Sequence, residues 1–182
     1  MKLKIIIVVL LGAFCLSIAL NPLPASEKDL IDTQKWLKSL WKEYTLRELS
    51  SLEELNIGWT KATDAGLIHL KKLNHLKWLS LVSTEISDAG LVHIKELKSL
   101  EWLSLRSTRI TDAGLVHIKV LKSLEELNLG DTQITDAGLV HLKELISLQW
   151  LDLSSTKVTK AGVKELSKAL PNCNIFKREW FK

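Results

Sequence analysis

Leucines recur along this chain in the fixed pattern LxxLxxLxLxxT, which residues 97–108 show in full. Within that stretch Leu103 and Leu105 alternate with polar or aromatic residues, and a period of two is typical of a strand with one buried face. The stretch that follows, TDAGLVHIK, has apolar residues three and four positions apart, which indicates a short helix with one apolar side. Each copy of the pattern therefore predicts one strand followed by one short helix.

This strand–helix unit returns every 24 residues, so that five copies fill residues 49–168. One unit cannot bury its own leucines, but stacked units bury them against one another, and a fixed period of this length is typical of a solenoid. All strands run in the same direction, which predicts a parallel sheet. Because strands pack ~4.8 Å apart and helices ~8–10 Å apart, we expect the stack to bend with the strands inside the curve.

Two polar positions of the repeat have structural interpretations. A threonine ends each strand, where its hydroxyl can satisfy backbone groups buried in the turn. At the start of the helix Thr111 is a good N-cap, and Asp112 places negative charge at the positive end of the helix dipole. We therefore interpret the repeated aspartates as helix-start charges rather than as a catalytic carboxylate set. The threonines are Thr60, Thr84, Thr108, Thr132 and Thr156, and the aspartates are Asp64, Asp88, Asp112 and Asp136.

Residues 1–25 predict a targeting segment. Two lysines precede an apolar run from Ile5 to Leu20, which is long for a signal-peptide core but short for a spanning helix. We expect cleavage near Leu20 or Ser26 and export to the periplasm, the cell envelope or the medium. An uncleaved membrane anchor is the alternative. A lipoprotein signal at Cys15 is disfavoured because the residue before it is large.

Residues 26–48 depart from the repeat and predict a helical cap. Ser26 to Asp29 resemble a capping box, and apolar residues continue at helical spacing through Trp41 and Tyr44. We predict one amphipathic helix that covers the first repeat, since the end of a solenoid otherwise exposes leucines and a bare strand edge. A partner-binding helix is the alternative.

Residues 169–182 are predicted to close the other end. Pro171 stops the fifth helix, Cys173–Lys177 fit a truncated sixth strand, and Trp180 and Phe181 would then cover the core. After cleavage Cys173 is the only cysteine, so the fold must rely on its leucine core. We interpret its thiol as a small buried group rather than as one that pairs between chains.

The motifs LxxLxLxxT and ITDAGLxHLK resemble a leucine-rich repeat, specifically the 24-residue kind common in bacterial proteins, and are similar to the repeats of F-box-associated proteins. The resemblance covers 120 of 182 residues; the first copy departs from the motif at Ala62, and the fifth at Lys160, Val163 and Glu165. It implies an α/β fold, namely a right-handed solenoid with the parallel sheet on its concave face and short helices on its convex face. It also implies a curved interaction scaffold without catalysis.

Charge and motifs exclude several function classes. The formal charge of +4 falls to +2 once Lys2 and Lys4 are removed, which is too small to indicate binding to nucleic acid or to an anionic membrane surface. Membrane association is expected only if the N-terminal segment stays uncleaved. The sequence contains no nucleophile–base arrangement, P-loop or Cys/His metal spacing. We therefore predict no enzymatic activity and no cofactor.

A histidine recurs at one helix position, as His69, His93, His117 and His141. Neighbouring helices lie ~10 Å apart, whereas zinc needs its ligands within ~2.1 Å of one point. The position also lies away from the predicted apolar side of the helix. We therefore interpret these histidines as solvated residues of the convex face and predict no metal site.

The outward strand positions differ between copies and are the candidate binding positions. One row across the strands reads Glu54, Trp78, Trp102, Glu126 and Trp150, and the next rows contribute Asp152 and Arg106. Exposed tryptophans commonly mark interaction sites, although the indoles can instead merely stiffen the sheet. We predict that these seven residues bind a protein or peptide on the concave face, with Trp78 and Trp102 in contact. The alternatives are a glycan ligand, since aromatic rows also stack on sugar rings, and an anchored envelope scaffold without a dedicated ligand.

Overall fold

The computed structural model describes residues 25–178. Its elements are, in chain order, helix α1 (Ala25–Ser39), helix α2 (Leu46–Ser50), strand β1 (Glu54–Asn56), 3-10 helix η1 (Asp64–Lys72), strand β2 (Trp78–Ser80), helix α3 (Asp88–Ile94), strand β3 (Trp102–Ser104), helix α4 (Leu115–Ile118), strand β4 (Glu126–Asn128), 3-10 helix η2 (Gly138–His141), strand β5 (Trp150–Asp152), helix α5 (Lys160–Ala169) and strand β6 (Asn174–Phe176). The predicted targeting segment up to residue 24, and both Trp180 and Phe181, lie outside the described residues. Within residues 25–178 no helix is both long and apolar enough to cross a membrane.

The six strands form one open parallel sheet in the order of the chain, from β1 to β6. Paired residues lie 24 positions apart, for example Glu54 with Trp78 and Trp78 with Trp102. The leucines of all five copies are buried between the sheet and the helical segments, except for Leu52 of the first copy, which is half-buried. This arrangement is the predicted α/β solenoid, and we call the outward side of its sheet the concave face.

The threonine that ends each strand has the predicted role. The Thr108 hydroxyl donates a hydrogen bond to the Leu105 carbonyl at 2.6 Å. The other four copies make the same bond to the carbonyl three residues earlier, at 2.6–2.7 Å. Each hydroxyl therefore satisfies a carbonyl at the point where the chain leaves the sheet.

The repeated aspartates have a role that was not predicted from the sequence. Each one binds the next repeat. Asp88 accepts hydrogen bonds from the backbone N–H of Thr111 at 2.8 Å and from its hydroxyl at 2.5 Å. Equivalent pairs of bonds join Asp64 to Ser87, Asp112 to Thr135 and Asp136 to Thr159. The Thr111 hydroxyl also accepts the N–H of Ala113 at 3.3 Å. Thr111 is nevertheless not the predicted N-cap, because α4 begins only at Leu115 and has Gly114 at its N-cap position. We call each of these aspartate–hydroxyl pairs an aspartate clasp.

Each clasp explains the glycine of the following repeat. A Cβ atom on Gly114 would overlap Asp88 Oδ1, and one on Gly138 would overlap Asp112 Oδ1. None of the described glycines has a positive φ angle. These glycines are therefore required for the close approach of the clasp rather than for an unusual backbone conformation.

The clasps also explain both ends of the repeat array. Lys160 replaces the aspartate in the fifth copy, after which no further Thr-Asp-Ala-Gly segment follows in the sequence. In the first copy the indole of Trp36, from α1, lies where a preceding aspartate would lie, and a Cβ atom on Gly66 would overlap its Nε1. Trp36 also stacks on His69, with ring centroids 5.6 Å apart. Helix α1 thus meets the first repeat as another repeat would.

The single helix predicted over residues 26–48 is wrong. Helix α1 ends at Ser39, and the N–H groups of Trp41 and Lys42 donate to the carbonyls of Lys38 and Leu37 at 3.1 Å and 2.9 Å. This is a Schellman motif with Trp41, at φ 63°, in the left-handed position that glycine usually occupies. Trp41 is 94% exposed rather than part of an apolar helix face.

The capping box of this region is also not the predicted one. Ser26 lies inside α1, whereas Thr45 and Glu48 form a complete capping box at the start of α2. The backbone N–H of Thr45 donates to the Glu48 carboxylate at 2.7 Å, and this bond lowers the pKa of Glu48. Helix α2 then leads directly into β1.

The predicted sixth strand is present as β6, although it is shorter than Cys173–Lys177. It pairs with β5, with Ile175 opposite Leu151. Helix α5 ends at Ala169, before Pro171. The Lys177 amine donates to the Thr156 carbonyl at 3.0 Å, so its charge is held against the preceding turn.

Candidate concave-face binding site

The predicted contact between Trp78 and Trp102 is present. Their ring centroids lie 4.3 Å apart with planes 11° from parallel, and both residues are half-buried. Leu79 and Leu103, one position later, are fully buried, and strand alternation therefore turns the two indoles outward. The concave face thus carries a stacked pair of tryptophans on adjacent strands.

Trp150 extends the aromatic surface at the other end of the row. It lies two strands beyond Trp102 and packs against Phe176 of β6, with centroids 5.5 Å apart and planes at 44°. Phe176 was not among the predicted site residues, although its 24-residue offset from Asp152 marks an outward strand position.

Exposed carboxylates lie beside the tryptophans. Glu54 and Glu126 occupy the same row of the sheet. The preceding row, at the strand starts, reads Glu53, Lys77, Glu101, Glu125 and Gln149, all of them exposed. The Lys77 amine pairs with Glu53 at 3.1 Å, and this bond, with a smaller contribution from Glu101, raises the pKa of Lys77. The tryptophans therefore lie in a predominantly anionic surface.

The side chains of Arg106 and Asp152 are less available to a ligand than predicted, because both make bonds within the chain. The Arg106 guanidinium pairs with Asp131 of the next repeat at 2.8 Å. Asp152 is only 9% exposed, and its Oδ1 accepts the N–H of Ser154 at 2.8 Å. Asp131 was not singled out because it lies in the turn after the strand. Of the seven predicted residues, Glu54 and Glu126 are exposed and the three tryptophans are half-buried, and these five are the strongest candidates for contact with a ligand.

The histidine row is half-buried rather than fully solvated. In residues 25–178 no three or more histidine, cysteine, aspartate or glutamate side chains come together as metal ligands. The absence of a zinc site stays a prediction. Calorimetric titration with zinc should give the same heats for the wild type and for the His93→Ala/His117→Ala variant. A stoichiometric site that the double variant lacks would contradict this.

Cys173 is half-buried, and burial raises the pKa of its thiol from 9.0 to about 11. At pH 8 the thiolate fraction should therefore be about a hundredfold lower in the folded chain than in the unfolded chain. We expect alkylation by iodoacetamide to be slower in the folded chain by that factor. The rate should then rise about tenfold per pH unit until the pH approaches the raised pKa. Equal rates at pH 8 with and without urea would contradict the burial.

Comparisons with known proteins agree with this fold. A family model described as a leucine-rich repeat matches residues 98–158. The search of curated proteins returned no match. The crystal structure of an internalin (inlF) from Listeria monocytogenes is similar, with a TM-score of 0.58 and 27% identity over 72% of this chain and 35% of the internalin chain. This chain thus spans about a third of that internalin.

Two further solved structures share the architecture. A leucine-rich-repeat protein of Leptospira interrogans is 26% identical over 71% of this chain and 38% of its own, with a TM-score of 0.50. An internalin C2 (inlC2) of Listeria monocytogenes covers 82% of this chain and 85% of its own at 17% identity, with a TM-score of 0.52, which speaks to the fold alone. The stacked strand–helix repeats, the family model and the similar solved structures together show that the chain has the leucine-rich-repeat solenoid fold.

Proposed function

We propose that this protein is a non-enzymatic scaffold that binds a protein or peptide on its concave face. The observation that carries the proposal is the stacked pair Trp78–Trp102, held half-exposed on rigid strands between Glu54 and Glu126. Tryptophan supplies a large apolar contact at low entropic cost and is enriched at binding hot spots. A parallel sheet braced by clasps holds these side chains in place before a partner arrives, which lowers the cost of binding.

The proposal includes export from the cytoplasm, which rests on the two lysines and the apolar run of residues 5–20. Amino-terminal sequencing of the protein from its native cells should begin near Leu20 or Ser26. Recovery of the full-length chain from the cytoplasm would contradict export. Recovery of the full-length chain from a membrane fraction would instead support the anchored form.

Site-specific photo-crosslinking tests where the partner binds. A photoreactive amino acid in place of exposed Gln149, the residue directly before Trp150 at the start of β5, leaves every proposed contact intact, while the same probe at exposed Val116 lies on α4. In native cells we expect a polypeptide adduct from the first position and none from the second. Adducts only from the position of Val116 would contradict the proposal, and a carbohydrate adduct at the position of Gln149 would replace the peptide ligand by a glycan.

A further inference from the structure

The edge of the sheet at which the strands begin is negative, although the chain as a whole is positive. The outward row that holds the tryptophans and the exposed row just before the strands together carry five carboxylates and one amine, a formal charge of −4, whereas the whole chain carries +4. These groups are Glu53, Glu54, Lys77, Glu101, Glu125 and Glu126. Charge segregated in this way beside the tryptophans favours a positively charged partner there.

Each indole of the stacked pair has a second ring face that the other indole does not cover. The centroids lie 4.3 Å apart, the planes are nearly parallel and the strands are adjacent, so the second faces are directed away from each other along the row. For Trp102 that direction leads to Glu126 on β4 and then to Trp150 on β5. For Trp78 it leads to Glu54 on β1. Each second face thus has an exposed carboxylate beside it.

An indole face beside a carboxylate suits a cationic side chain. A guanidinium or ammonium over tryptophan gains cation–π attraction, and a charge-assisted hydrogen bond to the carboxylate holds it in place. Trp102 and Trp150 are two strand spacings apart, roughly 10 Å, which leaves room for a flat guanidinium between them above Glu126.

We propose, on the basis of the proposed function above, that the concave face binds an extended basic segment of a polypeptide. Two cationic side chains of this segment lie at Glu54 and Glu126, and an apolar side chain between them covers Trp78 and Trp102. Glu54 and Glu126 are three strand spacings apart, roughly 14 Å, and four residues of extended chain span about 13–14 Å. Residues i, i+2 and i+4 of an extended chain point to the same side. The segment therefore carries arginine or lysine at i and i+4 and a large apolar residue at i+2.

A displayed library of random dodecapeptides, selected on the purified full chain, tests this inference. Selected peptides are first sorted by whether binding is lost in Trp102→Ala. We expect those that depend on Trp102 to carry basic residues at i and i+4 around an apolar residue, and to bind more weakly as salt rises. Melting curves of the variant establish that it is folded.

The affinity of the selected peptides for two charge-neutralised double variants, one on the concave face and one on the helical side, tests the role of the carboxylates. Glu54→Gln/Glu126→Gln should weaken these peptides about five- to tenfold, the loss expected for two exposed ion pairs. Glu96→Gln/Glu165→Gln removes the same charge from exposed residues on the helical side and should leave binding unchanged. An equal loss of peptide affinity in both variants would mean that only the net charge of the protein matters, and this would overturn the inference.

The outcomes separate the inference from the function on which it rests. Trp102-dependent peptides that are neutral or acidic would overturn the basic segment while leaving the concave face as the binding site. Selected peptides that all bind Trp102→Ala normally would overturn the concave face itself, and the basic segment with it. Trp102-dependent basic peptides with the predicted spacing support both.

Discussion

Replacing Gly138 with alanine should lower the free energy of unfolding by about 2 kcal/mol, within the range seen for overpacked cores. Alanine is ordinarily the better residue in a helical segment, by roughly 0.5–1 kcal/mol, and Gly138 has no positive φ angle that would require glycine. The loss arises because the new Cβ atom would overlap Asp112 Oδ1, whose carboxylate binds Thr135. Urea denaturation followed by circular dichroism measures the change.

A double-mutant cycle shows whether the clasp is the cause. In an Asp112→Ala background the oxygen that the new Cβ meets is absent, so Gly138→Ala should cost much less there than in the wild type. Asp112→Ala alone should be destabilising, since it leaves the N–H and hydroxyl of Thr135 without this carboxylate. Additive losses for the two substitutions would mean that the glycine is needed for some reason other than the clasp.

Leu103→Ala should cost about 2–5 kcal/mol of unfolding free energy, whereas Trp102→Ala, one residue earlier, should cost about 0.5–1.5 kcal/mol for the lost aromatic stack. Leu103 is fully buried, while Trp102 is half-exposed and stacks on Trp78. The pair therefore tests the register of β3, because a shift by one residue would exchange the two effects. Urea midpoints that rank Trp102→Ala as the more damaging change would contradict the register.

The repeat itself was predictable because packing imposes it on the sequence. Every copy must bury leucines at the same positions. The 24-residue period, the strand alternation and the strand-ending threonines can therefore be predicted from the repeated order of residues in the sequence. The tryptophan contact followed as well, since alternation and parallel register leave Trp78 and Trp102 opposite each other.

Contacts between repeats were harder to predict, because the partner is set by stacking rather than by local sequence. The sequence explains Asp112 locally as a helix-start charge, although α4 begins only at Leu115. Only the stacking of the repeats reveals that Thr135, 23 residues later, is its partner. Lys160 was the available signal, since the aspartate is lost in the copy after which no further Thr-Asp-Ala-Gly segment follows.

The other predictions that the structure corrects also failed because local sequence does not determine the contact or turn that decides them. The apolar residues keep their helical spacing through Trp41, and the sequence has no glycine there to predict a helix end. The chain nevertheless turns at Trp41 with a positive φ angle. Asp152 belongs to an outward strand position, but its carboxylate turns back to bind the N–H of Ser154. Arg106 is paired with Asp131, which lies in a turn whose conformation the sequence does not specify.

The most direct test of the account is the affinity of Trp102→Ala for the polypeptide captured by the photo-crosslinking probe in place of Gln149. Loss of one aromatic anchor at a hot spot costs about 2 kcal/mol, or roughly thirtyfold in Kd. Trp41→Ala is the matched control, since it removes a tryptophan that is 94% exposed and lies outside the sheet. We predict that Trp102→Ala keeps a cooperative melting curve and binds roughly thirtyfold more weakly, while Trp41→Ala binds as the wild type does. A folded Trp102→Ala variant with unchanged affinity would show that the partner does not bind on the concave tryptophans.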